Sequence, residues 1–306
     1  MEEIKVFAPA TVANLSCGFD VLGCCLDSVG DEMYVRKNDL KEVRITKITG
    51  QDLPLEADKN VAGVAVKALL SDLDSDQGID IEINKKIKPG SGIGSSAASS
   101  AGAVFAANKL LGEPFELKDL IPFAMQGELI ASGNAHADNV APALLGGFSL
   151  VRSYCPLEVL SLPVPSELRI VVLHPLIEIK TKDSRSIIKQ NVSLKAAINQ
   201  WGNLGAFISA LYTEDYDLLG RSLEDEIVEP IRSILIPYFQ ELDELTAAKG
   251  ALGFGISGSG PSVFALCRGD ENAEEVKQAI KEFYEKKGIE FDLHLSGINQ
   301  QGVKIL

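Results

Sequence analysis

The residues of this 306-residue chain best suited to chemistry run from Lys88 to Ser100: Lys88-Pro89-Gly90-Ser91-Gly92-Ile93-Gly94-Ser95-Ser96-Ala97-Ala98-Ser99-Ser100. Glycines at 90, 92 and 94 free the backbone from Cβ clashes, so consecutive NH groups can turn inward together. From Ala97 to Leu111 the apolar residues fall at helical spacing and stop at Gly112, which opens the loop directly into a helix. A helix start carries four unpaired NH groups and a partial positive charge. Loop and helix together therefore form a cradle for phosphate. The loop has neither the lysine that closes a Walker loop nor the spacing of a dinucleotide fingerprint, and a serine-rich cap after a flexible turn is the plain alternative.

Other residues of chemical interest stand further apart. Asn14 and Asp20 lie in Ala8-Pro9-Ala10-Thr11-Val12-Ala13-Asn14-Leu15-Ser16-Cys17-Gly18-Phe19-Asp20-Val21-Leu22-Gly23, where by themselves they read as turn caps. Asn60 stands at a helix start, with Asp58 as the expected N-cap. Glu128 falls near the end of a helix expected over 116–132 and alone is a surface carboxylate. His136, Asp138 and Asn139 share one short string, and Arg185 and Arg232 are isolated cations that would ordinarily face solvent. Gly258 and Gly260 permit a tight turn between two strands, for which a bare hairpin is the simplest account.

The strings Ala8 to Gly23, Pro-Gly-Ser-Gly-Ile-Gly-Ser-Ser-Ala-Ala at 89–98 and Gly250 to Leu266 resemble, in order, the three GHMP kinase motifs, and His-Ala-Asp-Asn-Val-Ala-Pro at 136–142 resembles a homoserine kinase string. They resemble most the homoserine kinase branch of that family, and the resemblance covers nearly the whole chain. It implies ATP as phosphate donor, L-homoserine as acceptor, and a cradle formed by Pro89, Gly90, Ser91, Gly92, Ile93, Gly94, Ser95, Ser96 and Ala97, with Asn60 beside the adenine. It implies a Mg2+ site at Ser96 and Glu128, and a carboxylate and a hydroxyl do suit a hard cation. The substrate carboxylate would fall to Arg185 and Arg232, in the strings T-K-x-x-R and E-P-x-R, with Asn14, Asp20, Thr181, His136 and Gly258 around the rest of the molecule. His136 and Asn139 would orient the hydroxyl, and Asp138 is left open between general base and structural anchor. The residue chemistry agrees: a zwitterion needs forked cationic donors at one end and a carboxylate with amide oxygens at the other. A GHMP kinase for another small alcohol, or a nucleotide sensor without catalysis, are the competing functions.

The elements that would position these residues mix strands and helices without regular βαβ alternation, so the fold class is α+β. The family implies an N-terminal domain like ribosomal protein S5 domain 2 and a ferredoxin-like C-terminal domain. Prolines between Pro156 and Pro165 break the pattern and put the boundary at 163/164, giving domains 1–163 and 164–306. Ile4 to Phe7 reads as an edge strand, Glu32 to Arg36 and Val43 to Ile48 as further strands, and Ile236 to Lys249 as one helix.

Lys and Arg total 29 against 43 Asp and Glu, a formal charge of −14. Such a surface repels nucleic acid, so an anionic ligand must be held locally. No apolar segment has membrane length, which points to the cytoplasm. The five cysteines lack C-x-x-C spacing, and the three histidines stand apart from them, so they read as small buried hydrophobes rather than disulfides or zinc ligands. A homodimer is kept open as the assembly.

Overall fold

The computed structural model describes residues 3–177, 187–188 and 191–306. Its first half is a layer of helices on a mixed sheet. The strands are β1 (Glu3–Ala13), β2 (Leu22–Asn38), β3 (Val43–Thr49), β4 (Gly78–Asn84), β5 (Phe148–Tyr154) and β6 (Leu157–Leu162), and the helices are α1 (Val61–Asp72), α2 (Ser95–Leu110), α3 (Ile121–Ser132) and α4 (Val140–Leu145). The second half runs β7 (Leu168–Pro175), α5 (Leu194–Thr213), α6 (Tyr216–Ser222), α7 (Glu229–Arg232), α8 (Phe239–Ala248), β8 (Gly253–Ile256), β9 (Val263–Arg268), α9 (Gly269–Lys287) and β10 (Phe291–Gly297). A short β11 (Lys304–Ile305) then returns to the first sheet.

The first sheet has the order β11-β1-β2-β4-β3, and β5 joins β2 and carries β6. Among the described strands only β3 and β4 run parallel, which the crossover through α1 allows. The second sheet, β10-β7-β9-β8, is antiparallel throughout. Strands and helices there alternate as in the split βαβ units of ferredoxin-like folds, as expected. Helix α2 is buried nearly all round, and its alanines, glycine and serines let the sheet and α1 and α3 approach closely.

Several elements differ from the sequence reading. β1 is not an edge strand: it runs to Ala13 between β11 and β2, with Pro9 at a register shift, where the missing NH breaks no ladder. Helix α1 is capped by Asn60, whose Oδ1 accepts from Ala62 N at 3.0 Å, while Asp58 lies in the preceding 3₁₀ turn and pairs with Lys67. The single helix expected over 116–132 is a 3₁₀ turn, Leu117–Leu120, followed by α3, which starts where Pro122 is tolerated in the first turn. Helix α8 begins at Phe239 because Pro237 holds Ile236 in extended backbone. The proline-rich stretch contains β6, which pairs with β5. Four of the cysteines are buried, but Cys155 is exposed.

Candidate active site

β4 ends one residue before Lys85, and the loop that follows has left-handed backbone at Gly90, Gly92 and Gly94 (φ 73°, 87° and 66°). Gly94 is the N-cap of α2 with no side chain capping the helix, so the amides of its first turn face a ligand site. A Cβ on Gly94 would lie 2.0 Å from Thr11 Oγ1 and 2.9 Å from Asn139 Oδ1. Those two atoms are hydrogen-bonded at 2.7 Å, Thr11 donating, so three distant segments meet in the space the glycine leaves. Gly92 is pressed against the turn of the second half: a Cβ there would approach Ser257 O and Gly260 O to 2.8 Å, and Ser257 Oγ donates to Gly92 O at 2.7 Å. Ser262 N adds a bond to Ser91 O at 3.2 Å. Both Gly258 and Gly260 have the positive φ that a tight turn needs.

Glu128, on α3, faces the start of α2 and is buried rather than superficial. Burial pushes its carboxyl up to about 7, although a hydrogen bond with Ser96 and the nearby Lys85 ammonium pull the other way. Its Oε1 has no hydrogen-bond partner among the described residues. An orphaned buried carboxylate oxygen next to a serine hydroxyl, at the mouth of a phosphate cradle, is a donor set that fits a magnesium ion whose other ligands are phosphate oxygens and water.

Across the cleft, Asn14 has left-handed backbone (φ 75°), and its side chain ties two segments together. Nδ2 donates to Gly258 O at 2.6 Å, and Oδ1 accepts from Asp20 N at 3.0 Å. Arg232 reaches the same carbonyl, Nη1 to Gly258 O at 3.1 Å, with its guanidinium 5.1 Å from the Phe19 ring centroid. It is 4% exposed, so the solvent-facing reading of this arginine fails. His136 Nδ1 lies 4.0 Å from Asp20 Oδ1. Tyr154 Oη accepts from Ala137 N at 3.2 Å and donates to Asp20 O at 3.4 Å. Asp138 is buried, and desolvation first, then the charges of Asp20 and Glu128, push its carboxyl up to about 7.

These residues line one cleft of about 430 Å³. Of the residues named from the sequence, Pro89, Gly90, Gly92, Gly94, Ser95, Ser96, Glu128, Asn14, Asp20, His136, Asp138, Asn139, Arg232 and Gly258 come together there. Ser91, Ile93 and Ala97 are buried behind the lining. Asn60 is not in it either: besides capping α1, its Nδ2 donates to Pro54 O at 2.9 Å. Thr181 and Arg185 lie outside the described residues. Lys59 and Val61, on either side of Asn60, do reach the lining; the sequence reading missed Lys85, Leu53 and Ile130 there, and Thr11 behind it. Lys85 could have been noticed as the lone cation between a buried-type strand and the glycine loop.

Two family models match the chain, the GHMP kinases N terminal domain over residues 60–147 and the GHMP kinases C terminal over 207–286. The chain belongs to the GHMP kinase family. Within that family it falls among the homoserine kinases. It is 43% identical to those of Chloroherpeton thalassium and Chlorobium phaeobacteroides, each covered, like this chain, over its full length. The crystal structure of homoserine kinase from Cytophaga hutchinsonii superposes with a TM-score of 0.97 at 51% identity, covering 100% of this chain and 98% of the other. A mevalonate kinase structure at 14% identity and TM-score 0.71 shares the fold.

Proposed function

We propose that this cleft transfers the γ-phosphate of ATP to the side-chain hydroxyl of L-homoserine, giving ADP and O-phospho-L-homoserine on the way to threonine. The observation that carries the reading is the convergence of an uncapped helix start, a buried carboxylate with a free oxygen, and a buried arginine on one cavity. The amides of residues 90–96 would hold the β- and γ-phosphates. Ser96 and Glu128 would hold magnesium, which when bound neutralises charge on the phosphate oxygens.

Arg232, already oriented by Gly258 O and Phe19, would take the substrate carboxylate, and Arg185 and Thr181 are kept as partners on the strength of the family motif alone. Asp20 with the remaining lone pair of Asn14 Oδ1 would take the ammonium. Asn139, fixed by Thr11, and His136 would orient the hydroxyl toward the phosphate. Burial raises the Asp138 carboxyl to about 7, which suits a group that takes a proton near neutral pH, so its assignment as an anchor rests on the transfer itself: a loose transfer needs little help in removing the proton. The catalytic work is then mostly positioning and charge neutralisation.

A cytoplasmic setting, a homodimeric assembly and a division of the chain at 163/164 belong to the same proposal. A coupled ADP-release assay over homoserine, serine, threonine and mevalonate tests it. Turnover is expected with homoserine and magnesium, and preference for an acceptor lacking the carboxylate would sink the reading.

A further inference from the structure

Asp31 and Lys85 form an ion pair with side chains 0% and 2% exposed, directly beneath the glycine loop. Their bonds go to both ends of that loop. Asp31 Oδ1 accepts from Lys86 N at 2.7 Å and Ile87 N at 2.9 Å, at the loop's entry, while Oδ2 accepts from Lys85 Nζ. The same ammonium donates to Ser95 O at 2.6 Å and Ser99 Oγ at 2.9 Å, in the first turns of α2 where the loop leaves. Ser95 Oγ closes the circuit by donating to Ile87 O at 3.1 Å.

All three protons of the ammonium are thus committed to protein atoms, although Lys85 lines the cleft. It has no donor left for a phosphate. A buried pair of this kind is a poor source of stability, since well-packed apolar residues of the same volume often serve as well or better. What it supplies is geometry: one carboxylate and one ammonium fix where the loop begins and where the helix begins, and so the spacing of the amides between them.

We infer that Asp31 and Lys85 are positioning residues for the nucleotide phosphates, acting through the shape of the loop at 88–94 rather than by contact with the ligand. The inference rests on the reading of the cleft as an ATP site. The test uses the full chain without homoserine, with mant-ATP and mant-adenosine as fluorescent probes. Lys85→Met alone strands a buried carboxylate and is expected to lower the melting temperature sharply. The double variant Lys85→Met/Asp31→Asn removes both charges, keeps an acceptor for Lys86 N and Ile87 N, and is expected to recover most of that loss. It should still bind mant-ATP about tenfold or more weakly, with mant-adenosine affinity within about twofold of the wild type. Wild-type affinity for mant-ATP in the double variant would reduce the pair to fold support and overturn the inference. So would a double variant no more stable than the single one, or equal weakening of both probes. A wild-type protein that fails to bind mant-ATP would overturn the nucleotide reading itself, and the inference with it.

Discussion

The two walls of the cleft are built in opposite ways. The phosphate wall comes mainly from one short run of chain, Lys85 to Ser99, which holds its glycines and its helix start, with Asp31 and Glu128 reaching it from β2 and α3. The substrate wall is gathered from far apart: Asn14 and Asp20 near the start, Asp138 and Asn139 after α3, Arg232 and Gly258 from the second half. The first wall takes its shape from its own backbone conformation, braced from outside by Asp31 and by the turn at 257–262. A gathered wall depends on how the two halves dock, and the carbonyl of Gly258, shared by Asn14 and Arg232, is where that docking is read.

The sharpest way to break this comparison is Glu128→Ala. If the phosphate side governs the chemical step, kcat should fall by about 10²- to 10³-fold, the size seen when one preorganised group that stabilises the transition state is removed. Homoserine KM should change little, and a magnesium titration of a variant with native circular dichroism checks it. Near-normal kcat with unchanged magnesium dependence would remove Glu128 from the metal site.

Arg232→Lys should do the reverse. It keeps the charge but loses the planar fork, so homoserine KM should rise by about 10- to 100-fold, the range of one charge-assisted hydrogen bond, while ATP KM stays within about twofold. Equal rises in both constants would mean that the variant has disturbed the docking of the halves. Homoserine methyl ester should penalise the wild type more than the variant.

Smaller still is the expected effect of Asp138→Asn, with kcat within about tenfold of the wild type, whereas losing a general base costs about 10²- to 10⁴-fold. A folded, ATP-binding variant slowed a thousandfold, with the acidic limb of its pH profile gone, would restore Asp138 as the base.

The mildest prediction concerns the support behind the second turn. His174 is buried, its Nδ1 is 3.2 Å from Ser262 Oγ, and burial lowers its pKa from 6.5 to about 4. Between those values the unfolded chain binds more protons than the native one, so this residue's contribution to stability falls as pH drops from about 6.5 through about 4. In urea titrations across that window His174→Gln should show a shallower loss than the wild type, with kcat at pH 8 nearly unchanged. An equal slope would mean that other groups carry the acid sensitivity.

What the sequence disclosed follows the same division. The glycine loop was legible because its function is written in consecutive residues. Asn14, Asp20 and Arg232 looked like turn caps and a surface cation, and only their motif strings marked them, because the bonds that make them a site cross from one half of the chain to the other. Lys85 and Asp31 carried no motif at all. Their pairing depends on β2 lying beside β4, a register that hydrophobic alternation alone does not reveal. For Asn60 the residue type alone pointed to a helix cap, which its bonds to Ala62 N and Pro54 O bear out, and only the motif string pointed to the nucleotide. β6 was hidden by the prolines on either side of it, and β1 was mistaken for an edge because its second neighbour comes from the far end of the sequence.

That second neighbour, β11, sets a timetable. β1 is made before every other element named here, yet the strand that covers residues 5–7 of its outer side, with Val6 opposite Ile305 and Leu306 N bonded to Lys5 O at 2.9 Å, is made after all of them. Until then β1 shows an open row of backbone donors and acceptors, the kind of edge that invites pairing with a neighbouring chain. That edge stays open to such pairing while the elements between β1 and β11 are being made. The loop bearing Asn14 hangs from the end of the same strand, so one side of the cleft is held in its finished frame only after β11 has been made.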